Sequence, residues 1–171
     1  FYNHIGIDLK GIARAAFSTL TGQGLEGGST ITMQLAKNTV LANTSQLRTF
    51  DRKISEIILA IRMERIYDKD SILTMYLNNT NFGNGYYGIK SASKHYFRKD
   101  PKDLTLAEAV ALSTLIQRPN DYRMASNEES ALKARSRTLN SMERVGYITK
   151  QEAEDASSQL LNWDPFEVII N

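Results

Sequence analysis

The segment EGGSTITMQLAKN, residues 26–38, combines residue types that hold anions in proteins. Two glycines and two hydroxyl residues lead into a helical pattern that carries a lysine and two amides. Free backbone N–H groups and the helix dipole at such an N-terminus attract phosphate groups. Ser29 and Thr30 are also ordinary helix caps, so helix capping alone is a second explanation for the same residues.

Positive charge continues beyond this segment. The stretch from Lys37 to Lys53 also carries Arg48 and Arg52, and its one acidic residue is Asp51. Cations beside a helix N-terminus commonly bind diphosphate. A solvated positive face is the alternative, and the segment is not a Walker loop because no Gly-Lys-Ser/Thr follows at the required spacing.

A carboxylate, Glu56, lies within this cationic region on a predicted helix. It falls on one side of that helix together with Leu59 and Met63, and these apolar neighbours predict a half-covered face. A carboxylate on such a face is costly unless it is paired or used. The alternative is an i,i+4 pair with Arg52 on a partly exposed helix, with a value of about a few tenths of a kcal/mol. The opposite side of the helix carries Ile54, Ile57, Ile58 and Ile61.

Helices are expected to position all of these residues. Asp8 is a candidate cap for a first amphipathic helix, whose apolar stripe comprises Leu9, Ile12, Ala13, Ala16, Phe17 and Leu20. Further helices are predicted over about 30–41, 52–67, 70–79, 89–97, 105–118 and 127–145, with a last one from residue 149. Two of them begin with capping boxes, Thr105 with Glu108 and Thr149 with Glu152. Residues 42–51 are predicted to be a mobile loop, and since period-two alternation is missing, the fold class is all-α.

Composition bounds the function. The 171 residues suit one domain, and a formal net charge of +2 is too small to indicate a nucleic acid partner. Without cysteine there is no disulfide framework or thiolate metal site, and His4 and His95 have no recognisable metal spacing. No run approaches the roughly 20 apolar residues that span a bilayer.

The order of the motifs resembles the peptidoglycan glycosyltransferase family, the transglycosylase domain of class A penicillin-binding proteins and of monofunctional cell-wall transglycosylases. The matching segments are FYNHIGID, GGSTITMQLAKN, RKISE, YLNNTNFGNGYYGIKSASKHYF and AEAVALSTLIQRPNDY. The resemblance covers roughly Phe1 to Tyr122 by motif and the rest by helix layout. It implies a lysozyme-like, bilobal helical domain with a small mobile jaw lobe over residues 1–162. Residues 163–171 are then expected to be a linker toward a downstream domain.

This resemblance implies a reaction that polymerises lipid II into β-1,4 glycan strands with inversion and with release of undecaprenyl diphosphate. The family's first motif, Glu-Asp-x-x-Phe-x-x-His-x-Gly-x-Asp, matches at Phe1, His4, Gly6 and Asp8. Its glutamate is the general base in the family and would lie four places before Phe1. Residues 1–171 are therefore expected to fold but not to polymerise by themselves.

Site residues follow from the same motifs. Glu56 matches the family's second glutamate, with an expected catalytic role near the donor diphosphate and as a candidate ligand of a divalent cation. Arg52 and Lys53 match the pair that neutralises the diphosphate. Asn78 and residues 83–88 match a motif that supports the cleft. The donor side of the cleft is expected to be lined by Gly28, Ser29, Thr30, Gln34, Lys37 and Asn38.

The family also implies partners and a location. Lipid II and the nascent glycan strand are the expected substrates, and moenomycin-type inhibitors and the membrane surface are expected partners. A transpeptidase domain in the same longer chain is compatible with the tail. A divalent cation, Mg²⁺ or Mn²⁺, is the one cofactor expected, with no organic cofactor. The expected location is the outer face of the bacterial cytoplasmic membrane.

The chain departs from the family pattern in places. Met33 stands where the family usually has a glutamine, which puts one cleft contact in doubt. Arg98 replaces a usual glycine, and NDYRM lacks the common Asn-Pro after its tyrosine.

Two other functions stay open at this point. A lysozyme-like lytic enzyme is disfavoured by the cationic motif, because glycan cleavage involves no diphosphate. A non-catalytic, lipid II-binding pseudo-transglycosylase would differ from the enzyme in the residues just upstream of Phe1.

Overall fold

The computed structural model describes residues 1–21, 27–42, 49–121 and 125–163. The helices in these ranges are α1 Leu9–Leu20, α2 Ile31–Asn38, α3 Thr49–Ile66, α4 Lys69–Asn79, α5 Ile89–Phe97, α6 Leu106–Gln117, α7 Glu129–Arg144 and α8 Lys150–Ser158, with a 3-10 turn at Pro101–Asp103. Extended pairing within the same ranges is limited to one isolated bridge between Asn81 and Tyr87. The all-α prediction is therefore confirmed.

The chain divides into two compact units, Phe1–Asn79 and Thr80–Asn171. Two units agree with the two lobes that the family resemblance implies, while the mobility of one lobe stays a prediction. Apart from Trp163, the predicted linker at 163–171 lies outside the described residues, as does most of the predicted loop at 42–51. The end of that predicted loop is wrong, because α3 already begins at Thr49.

Helix α1 forms where it was expected, but its apolar stripe is not its buried face. The Gly11 N–H donates to Asp8 Oδ1 at 2.9 Å, so Asp8 caps the helix as predicted. The side that is buried carries small residues, among them Ala15 and Ser18. Leu9 and Phe17 are 71% and 63% exposed. The spacing of apolar residues along a helix identifies a stripe, but it leaves open which segment, if any, covers that stripe.

In the first unit α2 packs against α3 and α4. Its Thr30 cap accepts the Met33 N–H at 3.2 Å, and Met33 and Leu35 are fully buried. On α3 the buried positions are Glu56 and Ala60, 5% and 0% exposed. The isoleucine stripe of α3 is therefore not its core face, as Ile54 and Ile58 are 43% and 45% exposed.

Gly6 is the point where the N-terminal segment meets both α2 and α3. Its φ of +92° is a conformation that side chains with a Cβ rarely adopt. A Cβ at this position would lie 2.8 Å from the backbone C and O atoms of Ala60. The Thr30 hydroxyl donates to the Gly6 carbonyl oxygen at 2.6 Å. Only glycine lets these three segments approach this closely.

The second unit is organised by its caps and by α6. Both predicted capping boxes are present, Thr105 with Glu108 and Thr149 with Glu152. The Glu108 carboxylate is buried and accepts from Lys99 Nζ at 2.7 and 2.9 Å. Helix α7 ends before Gly146, which adopts a φ of +81° as expected of a helix-terminating glycine.

A fully buried arginine, Arg135, lies within α7. Its Nη2 donates to Asn127 Oδ1 at 3.5 Å, and neither Nε nor Nη1 has a hydrogen-bond partner among the described residues. Burial lowers the pKa of this guanidinium from its ordinary value. The Asn127 amide also bonds both the carbonyl and the N–H of Leu161, at 2.9 and 2.8 Å, so it ties the chain after α8 to α7.

We expect Gly6→Ala to lower the free energy of unfolding by about 3 kcal/mol, because the new methyl combines a strained φ with backbone overlap. Gly85→Ala is the matched control, since Gly85 has a φ of +78° and open space around it. It should lose only about 1 kcal/mol. Urea unfolding of both variants measures the difference, and equal losses would show that the contact with Ala60 carries no weight.

Candidate functional site

The ammonium of Lys53 joins α3 to the residues that precede α2. Its Nζ donates to Ser29 Oγ at 2.6 Å and to Glu56 Oε2 at 2.8 Å. Lys53 and Ser29 reach the surface, while the Glu56 side chain is 6% exposed. The two motifs that the sequence predicted to share a site therefore meet at one positively charged atom. We call Ser29, Lys53 and Glu56 the lysine node.

Glu56 pairs with Lys53 at i,i+3 more closely than with Arg52 at i,i+4. The distance from Arg52 Nε to Glu56 Oε1 is 3.9 Å, against 2.8 Å for the lysine. The alternative, an Arg52–Glu56 i,i+4 pair on a partly exposed helix, is therefore present as the longer contact, while the buried carboxylate has its shorter contact with Lys53. The Arg52 side chain is 38% exposed, which leaves its guanidinium accessible at the edge of the node.

Thr30 caps α2 from inside the protein. Its hydroxyl oxygen accepts the Met33 N–H at 3.2 Å and its proton goes to the Gly6 carbonyl at 2.6 Å. The capping explanation for this hydroxyl is therefore confirmed. Capping orients α2 so that its first N–H groups and Ser29 lie at the same end of the helix, and that end is the electropositive one.

The remaining predicted residues of this motif lie in different surroundings. Gly28 allows the chain to pass α1, because a Cβ there would lie 3.3 Å from the Ile12 Cα. The Gln34 amide oxygen accepts from the Tyr76 hydroxyl at 3.2 Å, so it faces α4. Lys37 and Asn38 are exposed in the last turn of α2. The structure therefore brings Ser29, Lys53 and Glu56 into direct contact, with Arg52 beside them, and leaves Lys37 and Asn38 as surface groups further along α2.

Two residues whose roles the sequence left open are structural in this chain. Met33 is 1% exposed and belongs to the core of the first unit, so it offers no cleft contact. His4 accepts the Gly6 N–H on Nδ1 at 3.2 Å. Burial, together with the nearby Lys69 ammonium, lowers the pKa of His4 from its ordinary value.

The aromatic residues between positions 82 and 97, in the segment that matches the cleft-supporting motif, contribute to the core of the second unit. Phe82 and Tyr96 are fully buried, and the Tyr96 hydroxyl donates to the Phe82 carbonyl at 3.0 Å. Tyr86 stacks on His95 with 3.7 Å between ring centroids. Gly83 packs directly against the Pro119 carbonyl, whereas Tyr87 remains 62% exposed. Apart from Tyr87, these residues serve packing.

The lysine node does not fit a protein-built metal site. A divalent cation such as Mg²⁺ requires several oxygen ligands, commonly more than one carboxylate. Glu56 is a single carboxylate already held by an ammonium, and no group of three His, Asp or Glu side chains that could hold a metal occurs in the described ranges. The divalent cation stays a prediction, and no chemical step proposed for this site depends on it.

A second buried carboxylate on α3 was not predicted from the sequence. Glu64 lies eight residues after Glu56, and its side chain is 6% exposed. It pairs with Lys69 Nζ at 2.6 Å and accepts the Thr32 hydroxyl at 2.6 Å. The available signal was the recurrence of glutamate near the same face of one helix.

A groove of about 620 Å³ runs between α6 and α7 in the second unit. Its walls include Arg118, Lys133 and Arg137 together with several hydroxyl groups. None of the predicted site residues lines it.

The all-α fold and the lysine node at the N-terminus of α2 agree with the family that the order of the motifs resembles. A sequence model of the transglycosylase family matches residues 1–143. The chain belongs to the transglycosylase family.

Particular relatives are penicillin-binding proteins. The chain is 44% identical to penicillin-binding protein 1F of Bacillus subtilis over 94% of its own length and 22% of that protein. It is 42% identical to penicillin-binding protein 1A of Aquifex aeolicus over the same shares. The crystal structure of penicillin-binding protein 1A from Haemophilus influenzae matches 59% of this chain and 15% of that one, with a TM-score of 0.52 and 29% identity. The chain thus spans about a fifth of the length of these curated relatives.

We expect Lys53→Met to lower the free energy of unfolding by about 1–3 kcal/mol, because it leaves a buried carboxylate without its ammonium. Arg52→Met should cost less, since Arg52 is more distant from Glu56. The double variant Lys53→Met with Glu56→Gln should recover most of the loss. Thermal unfolding of the wild type, the single variants Lys53→Met and Glu56→Gln and the double variant measures the coupling, and additive losses would show that Lys53 and Glu56 do not interact.

Proposed function

We propose that this chain is the glycosyltransferase domain of a peptidoglycan-synthesising enzyme and that its lysine node binds the diphosphate of a polyprenyl-linked sugar donor. The observation that supports this most directly is the Lys53 ammonium, which bridges the start of α2 and a buried glutamate. Membership in the transglycosylase family supports the reaction class. The substrate is lipid II, and the product is a β-1,4 glycan strand formed with inversion.

The site's electrostatics suit the departure of a diphosphate. Negative charge grows on the leaving group as the glycosidic bond breaks, and fixed cations and N–H dipoles stabilise it most where water is excluded. Lys53 and Arg52 supply the cations, and the N-terminus of α2 supplies the dipoles. Glu56 holds the lysine side chain in one rotamer. The lysine therefore loses less rotamer freedom when the diphosphate binds.

Inversion requires one displacement in which the acceptor attacks opposite to the leaving diphosphate. The acceptor 4-hydroxyl must give up its proton to a carboxylate base. Glu56 is a poor candidate for that base, because Lys53 already donates to its carboxylate at 2.8 Å. We assign the base to the glutamate that the family motif has upstream of Phe1, and Glu56 to the donor side.

A membrane surface is the proposed partner of the first unit. The exposed apolar residues Ile5, Leu9 and Phe17 lie on the N-terminal segment and α1, and Phe50 lies on α3. Isolated exposed apolar residues are ordinary, but several of 63% to 75% exposure within one unit are typical of a surface that contacts lipid or protein. No described helix is both long and apolar enough to cross a bilayer. The proposed location is the outer face of the cytoplasmic membrane, and the polyprenyl carrier of the proposed substrate supports a reaction at a membrane.

The longer protein is proposed to carry a transpeptidase domain as well. The relatives named above are penicillin-binding proteins about five times the length of the matched region. Moenomycin-type inhibitors, which carry a phosphate and sugars, are proposed ligands of the same node.

Polymerisation of lipid II by the longer protein that contains this chain tests the proposal. We expect Lys53→Ala and Glu56→Ala each to lower the initial rate by about 100-fold or more, the scale of losing a preorganised electrostatic contact. Lys150→Ala is the matched control, because Lys150 lies on α8 in the second unit and forms an exposed pair with Glu154. Wild-type rates for both node variants would refute the site, and lipid II binding without any polymerisation would favour the non-catalytic alternative.

Membrane contact has its own test. Vesicles of phosphatidylglycerol and phosphatidylethanolamine should retain residues 1–171, and Leu9→Ser with Phe17→Ser should lower the partition coefficient about tenfold or more. The control is Val145→Ser with Tyr147→Ser, since these residues of the second unit are 62% and 73% exposed. Equal losses for the two double variants, measured by co-sedimentation, would contradict a membrane surface on the first unit.

A further inference from the structure

A largely buried charge cluster lies in the first unit, toward the end of α3. Lys69 Nζ pairs with Glu64 Oε2 at 2.6 Å and donates to the His4 carbonyl at 2.6 Å. The other carboxylate oxygen of Glu64 accepts the Thr32 hydroxyl at 2.6 Å and lies 3.9 Å from His4 Nδ1. The side chains of Glu64 and Lys69 are only 6% and 19% exposed. We call Thr32, Glu64 and Lys69 the carboxylate cluster.

The carboxylate cluster joins four segments of the chain. His4 precedes α1, Thr32 lies in the first turn of α2, Glu64 lies near the end of α3, and Lys69 begins α4. None of the three cluster residues belongs to the lysine node or was assigned to substrate. Their hydrogen bonds can all form only in one arrangement of these segments, since each of the two carboxylate oxygens has its own donor.

Two side-chain hydrogen bonds, which we call the two crossings, therefore hold the start of α2 against α3. Ser29 meets Lys53 on the exposed side, and Thr32 meets Glu64 on the buried side. Glu56 and Glu64 are eight residues apart, which corresponds to about 12 Å along a helix. Between the two crossings Thr30 is bonded to the Gly6 carbonyl. The N-terminal turn of α2, whose N–H groups face the proposed diphosphate site, is thus held from both sides.

A buried ion pair adds little net stability compared with apolar side chains of the same volume. What the ion pair does contribute is a fixed geometry. A carboxylate that accepts from two specific donors loses a hydrogen bond when either donor is displaced. Thr32 is in the same helical turn as the N–H groups that follow Thr30. Losing its bond to Glu64 would release the buried side of that turn while leaving Ser29, Lys53 and Glu56 intact.

We propose that the carboxylate cluster is a positioning device that sets the placement of the α2 N-terminus over Lys53, and thereby the affinity of the site for a diphosphate that the cluster never touches. Thr32, Glu64 and Lys69 are positioning residues in this proposal. The inference rests on the proposed function, because it assumes that the lysine node binds diphosphate.

The test measures binding of inorganic pyrophosphate to residues 1–171 by NMR titration, followed through the amides of Ser29 and Thr30. Thr32→Val keeps the shape of the side chain and removes its donor. We expect it to raise the Kd about three- to tenfold, the range that corresponds to one lost hydrogen bond. Thr32→Ser restores the hydroxyl and should restore the affinity. Glu64→Gln weakens the hydrogen bonds to both Thr32 and Lys69, and it should raise the Kd at least as much as Thr32→Val does.

A matched control separates positioning from stability. Thr114 is also buried, and its hydroxyl donates to the Ala111 carbonyl at 2.7 Å within the second unit. Thr114→Val should lower the thermal midpoint by an amount similar to Thr32→Val while the Kd stays unchanged. If folded Thr32→Val and Glu64→Gln bind pyrophosphate like wild type, the positioning proposal is wrong.

The lysine node supplies the remaining comparison. Lys53→Ala should abolish pyrophosphate binding in the same titration. Binding by wild type that Lys53→Ala does not weaken overturns the proposed function, and the positioning proposal with it. Binding that depends on Lys53 but not on Thr32 or Glu64 overturns the positioning proposal alone.

Discussion

The close approach of Gly6 to Ala60 is the constraint on which the site in the first unit depends. Ala60 lies one helical turn after Glu56, and the carbonyl of Gly6 accepts the hydroxyl of Thr30. The segment before α1, the N-terminus of α2 and the buried face of α3 therefore share one contact. Any side chain at residue 6 would separate all three, so a residue with no chemistry of its own determines where the lysine node lies.

Helix α3 has the reverse of the usual polarity for a helix of a globular protein. It buries Glu56 together with Ala60, and it exposes Ile54 and Ile58. The charge of Glu56 is paired with Lys53 on α3 itself, and Glu64 finds its partners on α2 and α4. These pairings explain why the face can be buried without an apolar surface. The exposed isoleucines share the outward side with Arg62 and Arg65, and this mixture of apolar and basic groups supports the proposed contact with lipid.

Local signals predicted the helices well because their causes are local. The boxes at Thr105 and Thr149, the cap at Asp8 and the terminating Gly146 each depend on residues within one turn. The family motifs likewise predicted that Lys53, Ser29 and Glu56 belong together. Which face of a helix is buried depends on segments far along the chain, and for α1 and α3 the apolar stripe indicated the wrong one.

Buried charges were harder still to predict. Glu64 finds its partners in Thr32, 32 residues earlier, and in Lys69 on the next helix, so no short window contains the cluster. Arg135 reads in the sequence as one of several cations on α7, but the structure buries it completely. Glu56 lies closer to Lys53 than to Arg52, and Lys53 also bonds to Ser29. The spacing of residues along α3 gives no information about where Ser29 lies.

The geometry of the lysine node has a consequence for the entropy of ligand binding. An ammonium has three N–H bonds, and Lys53 directs two of them at Ser29 and Glu56. Among the described residues the third has no hydrogen-bond partner, so it can take an oxygen atom from outside the protein. In the proposed function, a diphosphate thus meets a cation whose rotamer is already selected, and neither existing hydrogen bond has to break. The lysine is therefore preorganised for binding, because its side chain lost conformational freedom when the protein folded.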